Sequence, residues 1–256
     1  MSNVPFNVEE ICDVFSLEGL YTGYEKNNNG HINSTYTLIF EKNGNTEKYV
    51  LQKINTEVFK NPDKLMENIV AVTSHINKKN REMNIPWANR GTLTFRPCKD
   101  GKYYYFDSNR NCWRVYVYVD DVYTCNSIDS EEVFANAGIA FGDFQKILAD
   151  FDGSSLAETI ENFHNTASRF NDLKKAVEEN RSGRLDCVKA EVDFALAREA
   201  ETHILIDMID EGKLPLRVTH NDTKLNNVLF DIPTDKSICV IDLDTVMPGL
   251  VTSDFG

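Results

Sequence analysis

The spacing of apolar residues changes character along the chain. Thr35 to Glu41 is rich in β-branched and aromatic side chains and reads as a strand. Asn43-Gly44 marks a tight hairpin turn, and Lys48 to Ile54 is the return strand. Ahead of them, Asn7 is placed to cap a short helix running to Phe15, with Glu9 and Glu10 in its first turn. Asn27 to Asn33 forms a polar loop around one glycine. Asn61-Pro62-Asp63 opens a helix, and Leu65, Ile69, Val72 and Ile76 follow at helical spacing. Tyr103 to Phe106 and Trp113 to Val119 predict two more strands around the turn Asp107 to Asn111.

The second half turns helical. Asp129, with Glu132 three residues on, is an acidic capping signal. Val133, Ala137, Ala140, Phe144, Ile147 and Phe151 then make one apolar stripe. A second long helix is expected over residues 186–211, with Val188, Val192, Ala195, His203 and Ile206 near its inner face. Strand signals return at Leu216 to Thr219, Val228 to Asp231 and Ile238 to Asp242, with Pro233 to Lys236 as the last turn. The pattern predicts an α+β fold. An antiparallel sheet with one main helix occupies residues 1–119, and a mostly helical region occupies 120–256, with a composition change near Asp120-Asp121.

Composition narrows the function. The 256 residues suffice for a proper hydrophobic core. The 27 basic residues against 40 acidic ones give a net charge of −13, a poor match for nucleic acid. The longest apolar runs, such as Val115 to Val119, are far too short to span a membrane. The first residues lack the basic start and apolar core of a secretory signal. Six scattered cysteines without a C-x-x-C pair fit reduced, mostly buried thiols and a cytoplasmic location.

The densest chemistry lies between Arg217 and Asp244. His220, Asp222, Lys224 and Asn227 share one short polar loop between two apolar strands, and Asp242 ends a third strand 20 residues after Asp222. Phosphoryl transfer needs these parts: a carboxylate for the hydroxyl proton, a cation at the moving phosphate and oxygen ligands for Mg²⁺. The spacing H-x-D-x-K-x-x-N matches the catalytic loop of kinases.

Loop and strand resemble the superfamily of aminoglycoside phosphotransferases and choline kinases. Within it, His220 to Asn227 and Val240 to Gly249 closely resemble the bacterial N-acetylhexosamine 1-kinases. So do Leu51 to Asn55, Phe59 to Pro62, Leu65 to Asn68 and Phe163 to Thr166, in the same order. The resemblance implies a bilobal protein-kinase-like fold with a nucleotide-binding first lobe. It also implies ATP- and Mg²⁺-dependent phosphorylation of the anomeric hydroxyl of GlcNAc or GalNAc. The rival readings are a kinase for another sugar, an aminoglycoside or choline, and a non-catalytic nucleotide-binding module. Oligomeric state stays open. Against the family pattern the chain is expected to be cut at Gly256, short of the helices that complete the acceptor pocket.

Carried over residue by residue, the resemblance makes Asp222 the catalytic base. Lys224 faces the γ-phosphate, and His220 orients the loop. Asn227 and Asp242 hold Mg²⁺. Asp244 is either a second metal ligand or a solvated carboxylate. Asp254, in an Asp-Phe-Gly run, lies 32 residues after Asp222 and is expected to support the loop by backbone hydrogen bonds. On the nucleotide side, Gly30, His31 and Asn33 form a turn that either cradles phosphate or is a plain hairpin tip. Lys53 is the candidate for the strand lysine on the α- and β-phosphates, although a one-residue slip would aim Gln52 inward instead. Glu67 is its candidate helix partner, yet it lies about 160° from the centre of the apolar stripe, at 100° per residue. The Val117 to Asp121 backbone is the candidate adenine contact. His164 and Asn165 are either acceptor or loop contacts, or a turn and a helix cap.

Overall fold

Five antiparallel strands dominate the first part of the computed structural model, which describes residues 5–27, 32–128 and 130–255. They are β1 (Leu20–Asn27), β2 (Ser34–Lys42), β3 (Asn45–Ile54), β4 (Tyr105–Phe106) and β5 (Cys112–Val117), in the order β1-β2-β3-β5-β4. Asn43 (φ 52°) and Gly44 (φ 80°) turn β2 into β3, since a two-residue hairpin of this hand needs positive φ at both positions. The strand alternation gives the sheet two unlike faces. Leu38, Phe40, Leu51, Trp113 and Val115 pack on Phe6, Ile11 and Phe15 around α1 (Val8–Val14). Asn7 caps α1 by accepting from the Glu10 amide. Ile54, Cys112 and Tyr116 on the other face pack against α2 (Pro62–Glu82) through Leu65, Ile69, Val72 and Ile76.

Helix α2 starts as its sequence dictates, with Asn61 accepting from the Lys64 amide and Pro62 in the first turn. Its buried positions include three polar residues, Asn68, Thr73 and Asn80. The Asn68 amide donates to the Ala157 carbonyl (2.7 Å) and the Val246 carbonyl (3.0 Å), and accepts from the Ala157 amide (2.9 Å). These bonds fasten α2 to the second part of the chain.

That part carries α3 (Glu131–Ile147), α4 (Thr166–Glu179), α5 (Lys189–Leu196), α6 (Glu199–Asp210) and a last short turn, α7 (Val251–Phe255). Two small sheets hold the functional loops: β6 (Val122–Tyr123) with β8 (Val228–Asp231) and β9 (Ser237–Val240), and β7 (Arg217–Thr219) with β10 (Met247–Gly249). Among the described residues no helix is long and apolar enough to cross a membrane.

Several expectations need correction. Strand β1 was not anticipated. It is an edge strand with one packed face, and Gly23, Glu25, Lys26 and Asn27 dilute its alternation. The 186–211 helix is broken at Ala197-Arg198. Arg198 stacks on the Phe194 ring at 3.4 Å and donates to the Phe194 carbonyl at 2.8 Å, so a side chain caps α5 where an amide would have continued it. Helix α4 was also unread, because only Ala167 and Phe170 of its residues are buried. Asp129 lies outside the described residues, and the cap of α3 is Ser130, which accepts from the Val133 amide. The third strand stops at Val240, short of Asp242.

Candidate active site

The loop between β7 and β8 is held from behind before any ligand enters. His220 is fully buried, with its ring edge-on to Phe141 and Phe144. The Ile241 carbonyl, 2.9 Å from Nε2, can only accept, so Nε2 carries the ring proton. Nδ1 therefore accepts from the Asp222 amide at 3.2 Å. Burial holds the imidazole's pKa below its ordinary value, which keeps this pattern fixed. Asn221 sits at φ 65°, and its amide donates to the Thr245 carbonyl at 2.9 Å. Thr245 donates to the His220 carbonyl at 2.6 Å. Asp254 accepts from the His220 and Asn221 amides at 2.8 and 2.7 Å, the backbone-supporting role expected of it. His164 meets the Asn221 carbonyl at 3.0 Å, and Asn165 is the cap of α4.

On this scaffold Asp222 is presented at the loop surface. Its carboxylate lies 2.7 Å from the Lys224 ammonium. The Asn227 amide donates to the Asp222 carbonyl at 2.8 Å and reaches its carboxylate at 3.3 Å. The Ile241 amide bonds the Asn227 carbonyl at 2.9 Å, which seats the loop beside the stretch carrying Asp242. Asp242 turns the chain in the left-handed region (φ 60°, ψ 55°) and opens a 3-10 turn, Leu243–Thr245. Although Asp242 is exposed, the protein around it and the Asp244 carboxylate push its pKa up to about 6. A carboxylate crowded this way favours a bound cation.

The turn separates Asp242 from Asp244, so the two do not share a strand face. Asp244 is buried, which overturns its reading as a solvated carboxylate. Both of its oxygens accept from the Arg114 guanidinium, one at 3.0 Å, and Asn33 donates to it at 2.6 Å. Arg114 is buried too, its Nε donating to Gln52 at 2.9 Å. Gln52 in turn donates to Thr35 at 3.1 Å. Gln52 and Arg114 are register partners on one face of the sheet. Lys53 therefore lies on the other face, exposed, and the slip that aims Gln52 inward is the one observed. Glu67 is also corrected. It is 64% exposed and pairs with Lys64 on its own helix, whereas Asn68 takes the inward position. Gly30 and His31 lie outside the described residues. Asn33 spans the site with both ends of its amide, donating to Asp244 and accepting from the Asn55 amide at 2.9 Å. Arg114 and Asn68 were not anticipated at the site, and Gln52 was named only as the alternative to Lys53. A charge inside the apolar run Cys-Trp-Arg-Val-Tyr-Val was the available signal for Arg114.

Between the two parts, the Val117 and Tyr118 amides and the Asp120 and Asp121 carbonyls already have partners. The backbone groups of Val119 have none among the described residues. Among those residues no cluster of three His, Cys, Asp or Glu side chains is spaced to hold a metal ion. The Asp242 carboxylate and the Asn227 side-chain carbonyl are hard oxygen donors, which suits an ion that takes its remaining ligands from substrate phosphates and water.

A sequence profile of the phosphotransferase enzyme family (APH) matches residues 23–256. Among solved structures, the fold is similar to an aminoglycoside phosphotransferase from Alicyclobacillus acidocaldarius subsp. acidocaldarius. The TM-score is 0.59 at 13% identity, over 99% of this chain and 70% of that one. It is also similar to spectinomycin phosphotransferase in complex with ADP and spectinomycin, with a TM-score of 0.51 at 12% identity, over 98% of this chain and 73% of that one. The sheet with one main helix followed by a mostly helical part is thus a kinase-like α+β fold, as the sequence led us to expect.

Proposed function

The chain belongs to the phosphotransferase enzyme family, and on that premise we propose that it is an ATP- and Mg²⁺-dependent N-acetylhexosamine 1-kinase. One observation carries the phosphoryl-transfer reading. Asp222, Lys224 and Asn227 are gathered on a loop that His220 and Asp254 shape from behind, and the Ile241–Asn227 bond seats that loop beside Asp242. The hexosamine comes from the resemblance of His220 to Asn227 and Val240 to Gly249, with the segments that accompany them. Residues 1–119 form the nucleotide lobe and 120–256 the catalytic lobe. The Val119 backbone meets adenine. The buried thiols of Cys98, Cys112 and Cys239, their pKa values pushed up to about 12 by burial, suit a reducing cytoplasm.

In this mechanism Asp222 accepts the anomeric proton as the sugar oxygen bonds to the γ-phosphorus and the bond to ADP breaks. Lys224 leaves Asp222 for the transferring phosphoryl group and offsets its charge. Asn227 and Asp242 would hold Mg²⁺, which supplies charge neutralisation at the phosphate oxygens. Positioning and electrostatics supply the rate.

The test is an ADP-release assay across N-acetylglucosamine, N-acetylgalactosamine, other hexoses, choline and aminoglycosides. Turnover is expected with an N-acetylhexosamine. Turnover with choline or an aminoglycoside alone would move the assignment within the family. ATP binding without turnover on any acceptor would favour a non-catalytic module.

A further inference from the structure

A cavity of about 550 Å³ lies between the C-terminal half of α2, the 83–92 segment, α3 and β9. None of Asp222, Asn227, Asp242 or Arg114 lines it. Its size falls in the range of small-molecule sites, roughly 300–1,000 Å³. Ile76, Met83, Trp87, Phe144, Ile147 and Ile238 give it an apolar wall.

Two polar side chains break that wall. Thr92 is 3% exposed, and its hydroxyl has no hydrogen-bond partner among the described residues. Asn80 is 5% exposed, and its side-chain amide makes no hydrogen bond among the described residues. A Cβ at Gly91 would stand 2.6 Å from Asn80 Nδ2, so the lack of a side chain there keeps room for the amide. A buried hydroxyl without a partner, as at Thr92, costs stability, and the unpaired Asn80 amide stands beside it at the cavity wall. Charges at the rim nearly cancel: Lys79 and His75 both pair with Asp150, and α3 adds Asp143 and Lys146. The site therefore selects neither cations nor anions.

We infer that this cavity is a second small-molecule site, for a neutral aromatic amide. The ligand's ring packs on the apolar wall beside Trp87. Its amide pairs with that of Asn80, donor to acceptor and acceptor to donor, and the Thr92 hydroxyl takes a further bond.

Benzamide, whose primary amide carries an N–H on the same side as its carbonyl, is the probe, added to the full chain and followed by saturation-transfer NMR and by Trp87 fluorescence. Saturable binding in the millimolar range is expected. Asn80→Leu is expected to weaken it about tenfold while leaving the thermal midpoint equal or higher, because the substitution removes an amide with no partner and adds apolar surface to an apolar wall. Ala140→Phe, which fills the cavity, is expected to abolish binding. Benzoate, isosteric in part but charged, is expected to bind at least about tenfold more weakly. Binding unchanged in both variants would place the probe elsewhere and overturn the inference. So would an Asn80→Leu chain that melts lower, since the amide would then be structural, or no saturation up to the solubility limit. Should Ala140→Phe fail to fold, Asn80→Leu and benzoate decide alone.

Discussion

Two cation–carboxylate pairs stand within the site, and their surroundings give them opposite characters. In the Lys224–Asp222 pair the side chains are 62% and 24% exposed, in a loop that faces solvent. In the Arg114–Asp244 pair both are 3% exposed, with Gln52 and Asn33 occupying what the pair leaves over. Water competes for the first pair, so it contributes about 0–1 kcal/mol and either partner can exchange for a substrate group. The second has no competitor, and removing one partner strands a buried charge. The same pairing of charges thus makes an exchangeable element in one place and a fixed part of the frame in the other. Burial decides which.

The largest effect tests the exposed pair. Asp222→Asn is expected to lower kcat by roughly 10²–10⁴-fold, the usual contribution of a positioned base, while nucleotide affinity and the thermal midpoint stay near wild type. A variant that kept full turnover would end the base assignment. For the buried pair the readout is urea unfolding. Arg114→Met alone is expected to cost about 3–5 kcal/mol, and the double change Arg114→Met with Asp244→Leu to recover most of it. If the double variant is no better than the single, Asp244 has a role beyond pairing with Arg114.

Protonation supplies a third measurement, made without metal. Asp242 binds its proton more tightly in the folded protein (pKa about 6) than in the unfolded chain. Native protein therefore holds more protons across the window from about pH 4 to 6, and this group's contribution to stability falls as pH rises through it. Asp242→Asn is expected to flatten that slope and raise the unfolding midpoint at pH 7. The smallest effects belong to the residues that left the site. Lys53→Ala and Glu67→Ala are each expected to change stability by less than about 0.5 kcal/mol. In a nucleotide titration both are expected to match wild type, whereas Gln52→Ala, which takes the acceptor from Arg114 Nε, is not.

This contrast also explains what the sequence could tell. The Asp222 loop was legible because its members lie within eight residues and their spacing is itself the geometry. The distance of Asp254 from Asp222 set it apart from the metal role, and the family resemblance implied its support of the loop. The nucleotide side depends on strand parity, and alternation without a partner strand does not say which of Gln52 and Lys53 turns inward. Glu67 attracted attention as a carboxylate, although its place on the helical wheel already pointed outward. Asn68, in step with Leu65 and Val72, is the polar residue that the apolar stripe carried inward. Of the two readings of Asp244 only the solvated one fails, because the left-handed Asp242 is a local reversal that hydrophobic patterning does not register, and it carries Asp244 inward.

The three hydrogen bonds of Asn68 have a mechanical consequence. In kinases whose main helix swings, outward movement switches catalysis off. Here such a swing would break all three bonds and leave the Asn68 amide, the Ala157 and Val246 carbonyls and the Ala157 amide without these partners. The position of α2 against the second part of the chain is thus fixed by polar bonds, whose loss costs more than sliding an apolar contact would.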